Sequence, residues 1–177
     1  MDFSALEKNI CDVIKEEQVK LGYRSEVIRL YYPLSSLNLY LRTKAGCEEM
    51  EQYLASFCEV VLPRLGRVTV SRKGERFCIC LPKEAADFVH ANTPHSGFLY
   101  DFIEEIRGHH ASPESVIAVF RKYSDCVKIE YPKHGEFDVL LYFEDGQPDD
   151  LRYCLTDEGG HLIYHRYSAE DFAELGL

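Results

Sequence analysis

The sequence predicts an α+β fold, in which N-terminal and central helices with a small β-hairpin pack on a C-terminal four-stranded antiparallel meander that a short helix follows. Helical periodicity dominates up to about residue 124, and alternation of apolar and polar residues dominates after it. The strand-like runs also follow one another instead of alternating with helices, which favours an antiparallel sheet. A chain of 177 residues, 46 % of them hydrophobic, can build one ordinary core, so we expect residues 1–177 to form a single domain.

The N-terminal region predicts an amphipathic helix and then a segment whose type stays open. Ser4 and Glu7 have the spacing of a capping box, apolar residues then recur at helical spacing, and Gly22 ends the pattern. Residues 26–32 carry the β-branched and aromatic side chains typical of a strand, whereas the residues that follow are compatible with a short helix capped by Ser35. We predict a strand at 26–32 without excluding a helix.

A long helix and a hairpin are predicted next. From Gly46 onward, apolar residues recur with the period of a helix that buries one face. Two alternating runs flank Lys73 and Gly74, as in a β-hairpin, and the second run places Cys78 and Cys80 on one face. The opposite face of that run carries Phe77, Ile79 and Leu81.

Three shorter helices are predicted between the hairpin and the meander. The first covers residues 83–90 and the second covers 96–107. The third begins at Ser112, an N-cap residue, with Pro113 at the first helical position. Gly108 separates the last two helices.

The first hairpin of the meander has a register that its turn constrains. A three-residue loop at 133–135 places Val127 opposite Leu141 and Ile129 opposite Val139, so that apolar residues share one face. The glycine of this loop would take the left-handed bulge position. The four strands are expected near 126–131, 137–143, 151–156 and 161–166.

The last hairpin of the meander is expected to turn within residues 157–160. That turn pairs Leu155 with Leu162 and Tyr153 with Tyr164, which builds an apolar face. The opposite face then carries Arg152, Cys154, Thr156, His161, Ile163 and His165.

A short helix is expected after the meander. Ser168 serves as its cap, with Asp171 at the third helical position. Tyr167 precedes the cap and is placed to pack on Phe172 as a hydrophobic staple.

The cysteines and the N-terminus favour a reducing compartment. Seven cysteines are an odd number, and their spacing matches no disulfide framework, so we expect them to be reduced and mostly buried. The N-terminus lacks the basic and apolar regions of a signal peptide, and no stretch approaches the ~20 apolar residues that span a bilayer. These features predict a cytoplasmic protein without a membrane partner.

Negative charge is concentrated in the C-terminal third. The chain carries 30 acidic and 20 basic residues, a formal net charge of -10. Residues 125–177 hold 13 of the acidic residues and 4 of the basic ones. Because nucleic acids are bound mainly through clustered Lys and Arg, this balance predicts no nucleic-acid partner and favours a basic protein, a cationic ligand or a divalent metal. A solvated face that keeps the protein soluble is the simpler interpretation.

The best candidate pocket is formed by Arg152, Cys154, His161 and His165. The two histidines share a strand face but lie roughly 13 Å apart at their backbones, at about 3.3 Å per residue, which is too far for both to bind one metal ion. Histidines that simply satisfy hydrogen bonds on a partly covered sheet explain the pattern more economically.

Other clusters predict no metal site or cofactor. Cys78 and Cys80 lack C-x-x-C spacing and a second cysteine pair, so burial explains them better than zinc or redox chemistry. Residues 144–150, EDGQPDD, are explained by turn chemistry and do not follow a calcium-loop pattern. A third cluster has the four-residue spacing of metal ligands on one helix face, but Gly108 interrupts that helix. Exposed charge on the helix surface and a cation at the helix C-terminus explain this cluster better than a metal ion. That cluster is Asp101, Glu105 and His109.

Two segments resemble a known family. LGYRSEVIRLYYPLSSLNLYL at 21–41 and YCLTDEGGHLIYHRYSAEDFAELG at 153–176 are similar to an uncharacterised bacterial family of about this length, a domain of unknown function found mainly in Gram-positive anaerobes. The resemblance covers nearly the whole chain and implies a bacterial source. It implies no catalytic or binding residues.

The sequence favours a non-enzymatic intracellular binding module. Phosphate-binding loops, nucleophile elbows and zinc-protease motifs are absent, while 12 tyrosines and the acidic C-terminal third suit contact with a basic protein such as a toxin or nuclease. The alternative is a small hydrolase-like enzyme whose pocket contains His161, His165 and Arg152. The sequence leaves open whether a reaction is catalysed, and it does not indicate the oligomeric state.

Overall fold

The chain divides into two compact units, Met1–Pro94 and His95–Leu177. The computed structural model describes residues 1–94, 96–108, 110–132, 137–159 and 161–174, without the side chain of Glu174. Across these residues the architecture is α+β, with a small three-stranded sheet in the first unit and a four-stranded antiparallel sheet in the second. This confirms the predicted fold class. That residues 1–177 form a single domain stays a prediction.

The first unit packs helices on one face of its small sheet. Tyr32 and the apolar residues of β3 join helical residues such as Leu54 and Phe57 in one buried cluster. The strands are antiparallel in the order β1-β3-β2, so β1 joins the predicted hairpin as a third strand. In chain order the elements are α1 (Ser4–Leu21), β1 (Ile28–Pro33), α2 (Leu34–Leu41), α3 (Cys47–Leu65), β2 (Thr69–Lys73), β3 (Arg76–Leu81) and α4 (Lys83–Asn92).

The segment at 26–32, predicted as a strand without excluding a helix, contains a strand that runs directly into a helix. β1 ends at Pro33 and α2 begins at the next residue, so Ser35 lies inside the helix and does not cap it. Proline suits this junction because its fixed φ is compatible with an extended residue just before a helix.

The predicted capping box at the start of α1 is wrong. Asp2, not Ser4, supplies the side-chain acceptor: its Oδ1 accepts the Ser4 N–H at 2.9 Å and the Ser4 hydroxyl at 2.7 Å. The Glu7 carboxylate is engaged elsewhere, since it accepts two hydrogen bonds from Arg64 of α3 at 2.6 and 2.7 Å. A bidentate guanidinium is a stronger partner for a carboxylate than one backbone N–H, so the tertiary contact prevails over the local pattern.

The second unit packs two helices on the inner face of its sheet. Phe98 and Phe102 of α5 and Phe120 of α6 form ring contacts with Phe143 and Tyr153 of the strands, at centroid distances of 4.8 to 5.7 Å. Ser112 caps α6 in a reciprocal pair with Ser115, and Ser168 caps α7 as predicted. The elements are α5 (Phe98–Ile106), α6 (Pro113–Tyr123), β4 (Val127–Glu130), β5 (Val139–Phe143), β6 (Arg152–Asp157), β7 (Leu162–Tyr167) and α7 (Ala169–Glu174).

The meander is correct in strand order but shifted in register at both outer hairpins. Ile129 lies opposite Leu141, not Val139, and Leu155 lies opposite Tyr164, not Leu162. Each pairing moves by two residues, which leaves every side chain on its predicted face. The bulge predicted at Gly135 lies outside the described residues.

The turn of the last hairpin explains its register. The Glu158 N–H donates to the His161 carbonyl at 2.9 Å, so only the two glycines lie between these paired positions. Gly159 has φ +67°, the left-handed conformation that the first position of a tight hairpin turn requires. With Glu158 paired to His161, the strands are displaced by two residues relative to the predicted pairing.

The cysteines are free thiols but are less buried than predicted. Cys154 is buried and Cys126 is exposed. The other five are half-buried: Cys11, Cys47, Cys58, Cys78 and Cys80.

Candidate functional site

Three of the four predicted pocket residues lie on one surface, the outer face of the second sheet. Arg152 and Cys154 are alternate residues of β6, and His165 of β7 lies directly opposite Cys154. Helix α7 returns onto this face, where the ring of Phe172 lies 6.1 Å from Phe137. The structure therefore brings Arg152, Cys154 and His165 onto neighbouring positions of one sheet face.

Arg152 is held between aromatic rings. Its guanidinium carbon lies 4.3 Å from the ring centroid of Tyr142 and 5.7 Å from that of Phe172. The Tyr142 hydroxyl donates to Glu130 at 2.8 Å, which fixes the ring that Arg152 stacks on. Cation–π contacts of this kind position a guanidinium and suit a structural role.

Cys154 is part of the small core beneath α7. Its side chain is 2 % exposed and packs with Phe137 and Leu140. Burial raises the pKa of the Cys154 thiol to about 11, because a thiolate would lose its hydration there. At neutral pH the residue is a protonated thiol, which is a poor nucleophile and a poor metal ligand.

The two histidines are exposed and lie at different parts of the strand. His165 is on β7, with its ring 6.3 Å from that of Tyr167, while His161 precedes the strand at the turn. They are four residue steps apart along an extended chain, so neither the hydrolase pocket nor a shared ligand site follows from their placement. The hydrolase alternative stays a prediction.

A polar cluster on the inner face was not predicted from the sequence. The Tyr153 hydroxyl donates to Asp149 at 3.0 Å and accepts from the Arg166 guanidinium at 3.4 Å. The side chains of Arg166 and Asp149 are only 8 % and 17 % exposed, and their charged atoms lie 3.9 Å apart. Burial is the main cause that holds the pKa of Tyr153 well above its usual value, and the adjacent Asp149 carboxylate adds to it.

The acidic turn and Asp101 have structural partners. Asp145 accepts the Gln147 N–H and Asp149 accepts the Leu151 N–H, the turn chemistry expected for EDGQPDD. Asp101 binds Lys122 and Tyr123 of α6, and hydrogen bonding to Lys122 is the main cause that lowers the pKa of its carboxyl. His109 lies outside the described residues.

Across the described residues, no group of three or more His, Cys, Asp or Glu side chains has an arrangement that would hold a metal ion. Within the same part of the chain, every helix is too short or too polar to span a membrane.

The excess of negative over positive charge belongs entirely to the second unit. Residues 1–94 contain 13 acidic and 13 basic residues, whereas residues 95–177 contain 17 acidic and 7 basic residues. Several acidic residues lie where β4 begins and β5 ends, two segments that the hydrogen bond from the Glu144 N–H to the Cys126 carbonyl joins at 2.9 Å. We name this region the acidic end of the second sheet, and its exposed members are Asp125, Glu144, Asp145 and Asp150.

Comparison with known proteins identifies a family. A family model described as a domain of unknown function with an E. rectale gene description, DUF3877, matches residues 3–176. The chain therefore belongs to this family, which confirms the resemblance to an uncharacterised bacterial family from Gram-positive anaerobes. Neither the curated proteins nor the solved structures contain a match.

Proposed function

We propose that this member of the DUF3877 family is a non-enzymatic binding module of the bacterial cytoplasm, and that its second unit binds a basic protein. The observation that carries the proposal is the charge division: the first unit is neutral in formal charge and the second holds the whole excess of 10 acidic residues. A field of one sign over one unit steers a partner of opposite charge towards it.

The acidic end of the second sheet is the part of this unit best suited to such contact. Its carboxylates are exposed, and Lys128 lies 3.6 Å from Glu144 in an ion pair whose two side chains are 49 % and 60 % exposed. An exposed pair of this kind contributes little to folding, so exchanging Lys128 for a partner cation costs little. The same charge repels phosphate backbones, which supports a protein partner over a nucleic acid.

The predicted pocket residues support binding more than catalysis. Arg152 is stacked on Tyr142, Cys154 is a buried neutral thiol, and the two histidines do not converge. Hydrolysis needs a nucleophile or activated water beside a base, and these side chains do not assemble one.

Comparative affinity capture tests the proposal. The wild type, the variant D125N/E144Q/D145N and the control E26Q/E59Q/E75Q are immobilised and exposed to the same host extract. The control removes the same number of exposed carboxylates from the first unit. We expect basic proteins on the wild type and the control and their loss from the triple variant. Equal capture by all three, or capture of acidic proteins only, would contradict the proposal.

A further inference from the structure

Two thiols lie side by side on the outer face of the first sheet. Cys78 and Cys80 are alternate residues of β3, the central strand, so they point away from the core that Phe77, Ile79 and Leu81 enter. Their Cα atoms are about 6.6 Å apart, from two steps of about 3.3 Å along an extended strand. The outer face consists of nine paired positions: Arg29, Tyr31, Pro33, Thr69, Ser71, Lys73, Arg76, Cys78 and Cys80.

Both thiols are available to a small ligand. They are half-buried, whereas the neighbouring Tyr31 is 62 % exposed, so this face is open to solvent. Within residues 1–94, all of which are described, both thiols are free of disulfides. A disulfide between them does not suit the strand, because it needs Cβ atoms about 3.8 Å apart and side chains two residues apart on a strand are parallel.

The spacing and the neighbouring groups select the ligand class. An ion that joins two sulfurs spans roughly 4.6 Å, twice a metal–thiolate bond of about 2.3 Å. Rotation about χ1 brings two parallel cysteines within that reach. Zinc would need four ligands, yet none of the other seven positions of the face is Cys, His, Asp or Glu. Two thiolates alone suit a soft monovalent cation, and thiolate softness selects Cu(I).

The charge of the face matches the charge of such a complex. Two neutral thiols and one Cu(I) ion give a bis-thiolate complex of net charge −1 and release two protons. Arg29, Lys73 and Arg76 are exposed on the same face, which carries no carboxylate. The Arg29 position is directly opposite Cys80 in the sheet. We propose that Cys78 and Cys80 form a two-coordinate site for a soft monovalent metal ion, Cu(I) or its analogue Ag(I).

Anaerobic titration of the reduced full-length protein with Cu(I), in the presence of a chromogenic Cu(I) chelator, tests the site. We expect the wild type to withdraw one equivalent from the chelator, with affinity that rises with pH because two protons leave. The variants C78S and C80S should each lose that equivalent. The control C126S, which removes an exposed single thiol, should keep it. Retention of the equivalent by C78S or C80S, or no withdrawal by the wild type, would overturn the proposal.

A second measurement needs no variant. One equivalent of Cu(I) is added to the wild type, free thiols are alkylated with N-ethylmaleimide, and labelled peptides are mapped by mass spectrometry. Protection of Cys78 and Cys80 with continued labelling of Cys126 is the expected result. Protection of other cysteines, with these two still labelled, would show that the ion binds elsewhere. Both measurements are independent of the proposed protein partner.

Discussion

Removing the Tyr153 hydroxyl is predicted to destabilise the second unit strongly for so small a change. The hydroxyl is completely buried and joins two charged groups, Asp149 at 3.0 Å and Arg166 at 3.4 Å. Hydrogen bonds to charged groups contribute about 1.5–3 kcal/mol each, and the second one here is long, so we expect Tyr153→Phe to cost about 2–3 kcal/mol. The ring contacts with Phe102 and Phe120 remain, so packing loss adds little.

Urea denaturation followed by circular dichroism measures this cost. Tyr142→Phe is the matched control, because it removes a hydroxyl bonded to Glu130 at 2.8 Å on the exposed outer face. Glu130 is also charged, but this bond is exposed to solvent, which weakens its contribution to about 0.5–1.5 kcal/mol, so the control should lose less free energy of unfolding. Hydrogen exchange at β6 and β7 should report the loss in the Tyr153 variant specifically. If Tyr153→Phe lowers the free energy of unfolding by less than Tyr142→Phe does, the buried cluster does not stabilise the second unit.

Three further predictions concern burial. Burial raises the pKa of Tyr32 and Tyr153, so their contribution to the free energy of unfolding is fully present below the unfolded-state pKa near 10.0 and declines as the pH rises beyond that value. In unfolding curves measured at several pH values, Tyr153→Phe should make this decline less steep, and an unchanged slope would contradict the role of Tyr153. Phe102→Ala should cost about 3–5 kcal/mol in urea denaturation, because the ring is fully buried among aromatic neighbours, and a loss under 1 kcal/mol would contradict this packing. Under native conditions Ellman's reagent should react with the exposed Cys126 well before Cys154, because burial raises the pKa of the Cys154 thiol to about 11. After denaturation without a reductant, all seven thiols should react, and a smaller number would reveal a disulfide.

Sequence patterns were sufficient where local chemistry decides the structure. Helices α1, α3 and α6 end or begin at Gly22, Gly46 and Ser112 as predicted, because a helix end depends on residues within one turn of it. The Ser4 capping box failed because Glu7 meets Arg64, a residue 57 positions away that no local pattern includes.

The register of the meander shows a different limit. A shift of two residues keeps every side chain on the same face, so apolar alternation does not distinguish Leu155–Leu162 from Leu155–Tyr164. The adjacent glycines before His161 carried the missing information, since a tight turn favours them at its two central positions. With that register, Arg166 falls opposite Tyr153, and the buried cluster becomes predictable.

The sequence predicts which sheet face carries the candidate pocket residues, but not what covers that face. Arg152, Cys154 and His165 do share the outer face of the second sheet. Their exposure depends on α7, which buries Cys154 and places Phe172 beside Arg152. The strand pattern alone contains no information about how a later helix returns onto the sheet.

The proposed binding function is tested most directly by isothermal titration of a captured basic protein against the wild type, D125N/E144Q/D145N and E26Q/E59Q/E75Q at two salt concentrations. We expect weaker binding and a shallower salt dependence for the first variant, because its lost carboxylates no longer attract the partner. The control, with the same net charge, should match the wild type. Equal affinity and equal salt dependence for the two variants would contradict a binding surface on the second unit.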